Sequence, residues 1–174
     1  MIAQRNGFLT TMSCSILPTE LLVAESPTTF ASLLLSHYLT QESGIERAWL
    51  LHHAEGRRAR ALAQWEATAR PLTSLSEPPP TLPYHLQAEP TESSLFTYQG
   101  ETYALLALSH RQNPLGAILL LGTAEALQTT ISTFVALAPS IGFVLHSLLR
   151  EARSEEHTSE LQSRQYLVCR LLLE

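Results

Sequence analysis

The sequence contains no lysine and no aspartate: its 11 basic residues are all arginine and its 16 acidic residues are all glutamate. That double absence removes several active sites at once. A phosphate-cradling loop requires its Lys, a calcium loop requires Asp at its first position, and protein kinases and diguanylate cyclases hold Mg²⁺ with Asp. Charged residues make up only 16% of the chain against 45% hydrophobic, which is not the composition of a disordered polymer, and 174 residues correspond to one domain with short extensions. A formal net charge of −5 supplies no basic field for counterion release, so nucleic acid is not an expected partner. No run reaches the roughly 18 uninterrupted apolar residues of a membrane span. The opening stretch, broken by Cys14, Pro18 and several Ser and Thr residues, is a poor secretory signal. A cytoplasmic protein with no membrane partner is the expectation, and both Met1 and Met12 are open as its start.

Cysteine is scarce too, with Cys14 and Cys169 alone, and the second of these lies in a stretch of unusual character. Residues 153–174 read RSEEHTSELQSRQYLVCRLLLE. The first half resembles translated short-read sequencing adapter, residue for residue through Ser163, and LVCRLLLE at the end is similar to its continuation. Between them, Arg164, Gln165 and Tyr166 fit an in-frame index. The competing reading is a genuine amphipathic C-terminal helix, for which YLVCRLLLE has suitable periodicity. Residues 153–174 are therefore expected to be an artefactual tail, excluded from fold reasoning, on a natural frame cut near Ala152. One cysteine then remains, Cys14, which excludes an internal disulfide, a thiolate zinc cage or a redox pair. Neither metal nor cofactor is expected.

Residues 1–26 read as an N-terminal extension. Ser26 then offers an N-cap and Pro27 a first helical residue, followed by Phe30, Leu33, Leu34, His37 and Tyr38 at helical spacing up to Gly44. IERAWLLHH reads as a strand, AEGR as a turn, and RARALAQWEA as a second strand or short helix, together a hairpin. Six prolines between residues 70 and 91 rule out a regular helix or central strand and predict a long surface loop. SLFTY, TYALLALSH and GAILLLG follow as a meander, joined by turns at Gln99-Gly100 and at Arg111, Gln112, Asn113 and Pro114. YALLAL and GAILLL do not alternate, so both of their faces should be covered. From Ala124 a 4,3 repeat runs through Leu127, Ile131, Phe134, Ala138, Ile141, Leu145, Leu148 and Ala152, with Pro139 expected to break or kink the helix.

This order predicts an α+β fold: an antiparallel sheet of about five strands, its N-terminal and C-terminal helices on one face and the middle loop on the other. NPLGAILLLG followed by FVALAPSIGFVLHSLLREA resembles the end of GAF domains, sensory modules of the GAF/PAS type found in bacterial signalling proteins. The likeness covers residues 27–152. It implies a non-catalytic sensory or dimerisation module upstream of a histidine kinase, diguanylate cyclase or transcriptional activator, here a fragment lacking its C-terminal output domain. It also implies a small-molecule ligand, although the Pro-rich loop 70–91 departs from the helices that usually lid the pocket. A roadblock or profilin-like interaction module, with a similar element order, is the alternative.

Four aromatics on the predicted strands, Trp49, Trp65, Tyr98 and Tyr103, are the candidate ligand-lining residues, weighed against plain core. In the final helix, a narrow 4,3 seam suits a partner helix, so homodimerisation is expected there, with Ile141, Leu145 and Leu148 as the contact and output residues. Catalytic readings fail. The elbow-like Ala138-Pro139-Ser140-Ile141-Gly142 has only His146, in the same helix, and no later native histidine. His52 and His53 are neighbours in a strand, point to opposite faces and cannot share an ion. Cys14 lacks the surroundings of a chromophore-attachment cysteine. The cyclic-nucleotide and methionine-sulfoxide relatives use Lys and Asp, or several cysteines, that this chain does not have.

Overall fold

The computed structural model describes residues 17–40, 43–53, 59–67 and 93–171, with side chains of the last helix described as far as residue 155. Cys14, the turn at Gly56 and the Pro-rich segment 70–91 lie outside the described residues. Eight elements follow in order: α1 (Thr19–Leu22), α2 (Pro27–Tyr38), β1 (Ile45–His52), β2 (Arg60–Glu66), β3 (Ser93–Tyr98), β4 (Glu101–His110), β5 (Asn113–Gly122) and α3 (Ala124–Leu171). The strands form one antiparallel sheet in the order β2-β1-β5-β4-β3, an α+β architecture.

Helix α2 starts where its sequence says it should. The Ser26 hydroxyl accepts a hydrogen bond from the Thr29 backbone N–H at 3.1 Å, and Pro27 occupies the first turn, where its missing N–H is no loss. Gly44 takes φ +70°, a left-handed conformation open to glycine, and turns the chain into β1. The two hairpins of the meander are tight: Gln99 and Gly100 both have positive φ, as do Arg111 and Gln112. Paired positive φ matches the twist of the flanking strands. The second turn is shorter than its sequence suggests, because Asn113 and Pro114 already belong to β5.

Helices α2 and α3 share one face of the sheet, α2 across β1 and β2 and α3 across β4 and β5. Their edge-to-face pair Tyr38–Phe134, 5.7 Å between ring centroids, joins them. The larger core lies between: Phe30, Leu34 and Leu35 from α2, Leu127, Phe134, Ile141 and Leu145 from α3, and Ala48, Leu50, Leu106, Leu108, Ile118 and Leu120 from the strands. Trp49, Leu51, Tyr103, Leu105, Leu119 and Leu121 form a second, buried cluster on the opposite face. Strand β5 is thus buried on both sides along most of its length, which explains why its apolar residues do not alternate.

One boundary is corrected. The packed unit includes residues ahead of Pro27, since Leu17 and Leu21 of the supposed extension are 3% and 1% exposed within the main core. Of the break or kink expected at Pro139, the break does not occur: α3 is continuous from Ala124 to Leu171. Pro139 and Val135, whose carbonyl it leaves without a donor, are both on the exposed side, where water can serve that carbonyl. The backbone of residues 153–171 lies in the same helix, and Arg153, Ser154 and Glu155 are exposed.

Candidate functional site

The four aromatics do not form one set. Register places Trp49 opposite Gln64 and Ala48 opposite Trp65, so Trp65 points to the helix side and packs against the main core. Trp49, Tyr103 and Tyr98 share the other face. Phe96 joins them by stacking on Tyr103, with centroids 5.5 Å apart and planes 13° from parallel, because β3 pairs Phe96 directly with Tyr103. The Tyr103 hydroxyl donates to Glu101 Oε2 at 2.7 Å. Burial, and then this carboxylate, push the Tyr103 hydroxyl up to about 12. In the same row of the sheet, with Leu121 between Arg47 and Tyr103, Arg47 pairs with Glu66 at 2.8 Å across β1 and β2, and its charge partly offsets the rise at Tyr103.

Trp49 is 2% exposed, and its indole Nε1 has no hydrogen-bond partner among the described residues. An unsatisfied buried donor is costly and commonly marks a position where an acceptor is missing. The face is filled rather than hollow, however: Leu119 is fully buried and Tyr103 is 4% exposed. On the same face, a cavity of about 10 Å³ bordered by Leu51, His53, Ala59 and Ala117 has room for about one water.

Protein-family models, curated proteins and solved structures were compared with the chain. None matches it.

The seam expected to face a partner is used inside the chain. Ile141 and Leu145 are fully buried against the sheet, and Leu148 is partly buried against the same core. The sequence reading missed the apolar groups that α3 leaves exposed: Val135 is 43% and Phe143 59% exposed, with exposed Pro139 between them, and the Phe143 ring stands beside His110 at the end of β4. No charged residue occurs between Glu125 and Arg150. By length and composition alone the helix over 124–155 is apolar enough to cross a membrane, its most apolar 18-residue stretch having a mean hydropathy of 1.6, contrary to the sequence expectation of no such stretch. Leu127, Phe134, Ile141 and Leu145 on the sheet account for much of that hydrophobicity.

Apart from exposed His37 at the end of α2, the described histidines fall in two places. His52 Nδ1 lies 2.8 Å from the Leu115 carbonyl oxygen, which also accepts from the His53 backbone N–H at 2.9 Å. His110, at the end of β4, stacks on His146 of α3 with centroids 4.7 Å apart and planes 23° from parallel. Among the described residues no group of three or more His, Cys, Asp and Glu side chains could hold a metal ion.

Proposed function

We propose that the chain is a non-catalytic sensory and dimerisation module of a bacterial signalling protein, cytoplasmic and of the GAF-like type, in which α3 is the output element. The observation that carries this reading is the construction of α3. One side is anchored on the sheet by Leu127, Phe134, Ile141 and Leu145, and the other exposes Val135 and Phe143 in a helix free of charge from residue 126 to 149. An uncharged helix side with large apolar groups in water gains by covering them, and a second copy presents the same surface. Helix motion is then available to the output domain expected downstream. A ligand reading for Trp49, Tyr98 and Tyr103 rests on the indole donor that has no partner among the described residues, and it requires the packed face to open.

The exposed Phe143 equally supports the alternative of a roadblock or profilin-like interaction platform. Sequencing the source locus past codon 152 separates the two. A kinase, cyclase or activator domain supports the sensory module, and an immediate stop codon favours the platform. Light scattering on the full chain tests the dimer: the wild type should be dimeric and Phe143→Glu monomeric with an unchanged circular dichroism spectrum. A monomeric wild type overturns the dimer.

A further inference from the structure

At the end of β4, beside the aliphatic core, two imidazoles meet across the contact with helix α3. His110 and His146 stack at 4.7 Å, and Phe143 lies against His110 at 5.8 Å in a tilted arrangement. Both histidines are half-buried. One turn earlier in α3 the helix backbone is pressed on the sheet: a Cβ at Gly142 would stand 2.3 Å from the Ser109 carbonyl oxygen. Next to the stack, Arg111 and Gln112 hold φ of 48° and 69°, a left-handed turn made without glycine.

From this geometry we infer that the His110–His146 stack is an acid-sensitive latch, which holds the part of α3 beyond Leu145 on the β4–β5 hairpin when neutral and releases it when protonated. Two neutral imidazoles stack favourably, whereas two imidazolium rings at this separation repel. The other charged groups around the stack settle the direction. Arg111 in the hairpin turn adds positive charge beside His110, and Arg150 of α3 stands one turn from His146 in a groove that also carries Glu151. Glu151 is the acid among the described groups lining that groove, where it stands beside Arg150, and Arg111 adds its charge from the hairpin turn. Burial, then His146 and Arg111, hold His110 below its ordinary value of 6.5. A lowered histidine means that the folded contact binds its proton less readily than the open form. The contact is therefore at full strength above 6.5 and weakens as the pH falls through that value and below it. Ile141 and Leu145 are fully buried and keep the preceding turns seated, whereas beyond them Leu148 and Leu149 are only partly buried against the core, so the release is local.

The inference concerns how α3 sits on its own sheet and stands whether or not the helix carries a signal. Amide hydrogen exchange of the full chain between about pH 5 and 8, corrected for intrinsic rates, tests it. Amides 146–152 should lose protection on acidification, by up to about tenfold per pH unit for one proton taken up on opening, while those of β5 hold theirs. His110→Phe preserves an aromatic ring against His146 without a charge, and His146→Gln removes the partner charge; each should flatten the pH dependence. Unchanged protection in the wild type overturns the latch, as does the same acid loss in both variants. Should either variant fail to fold, the wild-type histidine titration by NMR decides alone: a His110 titrating below 6.5 supports the latch, and one titrating above it overturns it.

Discussion

Gly142 of α3 lies so close to Ser109 of β4 that a Cβ on the glycine would stand 2.3 Å from the Ser109 carbonyl oxygen. Backbone, not a pliable side chain, occupies the space, so the helix would have to lift. Gly142→Ala should therefore destabilise the fold by about 1–3 kcal/mol, the usual cost of overpacking, even though alanine is the better helix former. Urea denaturation measures it. A more stable variant would mean that α3 rides higher on the sheet than this contact indicates.

Leu145 is fully buried in the main core, between α3 and the strands. Leu145→Glu should accordingly unfold the protein and not merely separate a dimer, because it costs at least the roughly 2–5 kcal/mol of Leu→Ala and buries a carboxylate besides. Leu148→Glu should cost less, since Leu148 is only partly buried. Thermal melts of the two variants rank them, and a folded Leu145→Glu protein would return this residue to the partner seam.

Tyr103 provides an alkaline test. Burial and the Glu101 carboxylate raise its hydroxyl to about 12, so the folded state keeps its proton where the unfolded chain has lost it. The stabilising contribution is complete below the ordinary value of 10.0 and is lost as pH rises from there through about 12. Glu101→Gln removes the negative charge and should let Tyr103 ionise at lower pH. Ultraviolet titration of tyrosinate, with Tyr103→Phe to assign the signal, reads the shift; an unchanged Tyr103 titration in Glu101→Gln would show that the carboxylate is not the cause.

Much of the fold was legible because its signals are local. Ser26 and Pro27 announce α2, the Gln99-Gly100 pair marks a turn, and the doubly apolar text of β5 implies cover on both faces. What was not legible depends on register and on distant contacts. Trp49 and Trp65 part company because residue 48, not 49, faces Trp65 in the pairing of β1 with β2, whose register shifts at Leu50 and Leu51 in a way the strand text does not show. Leu21 belongs to the core although it lies in a four-residue helix too short to show a period. The 4,3 repeat of α3 was visible, yet periodicity states only that one side is apolar, and its own sheet covered Ile141 and Leu145. His110 and His146 are brought together by the crossing of α3 over β4, for which neither histidine's neighbours give a sign.

Pro139 stands inside α3, on its exposed side, with the buried Leu137 and Ile141 close by in the chain. Its ring removes the N–H that would bond the Val135 carbonyl, and a proline in a helix interior is about 3 kcal/mol worse than alanine. Two effects reduce that difference here. The freed carbonyl lies on the side where Val135 is 43% exposed, so water can reach it. Proline also restricts the unfolded chain, which returns about 0.4–1 kcal/mol to the folded state. Pro139→Ala should therefore stabilise the protein by about 1–2 kcal/mol, seen as a higher urea midpoint at unchanged slope. A neutral or destabilising result would assign proline a geometric role: its bend would then be what lets Phe134 and Leu145, both fully buried, reach the same flat sheet from opposite sides of residue 139.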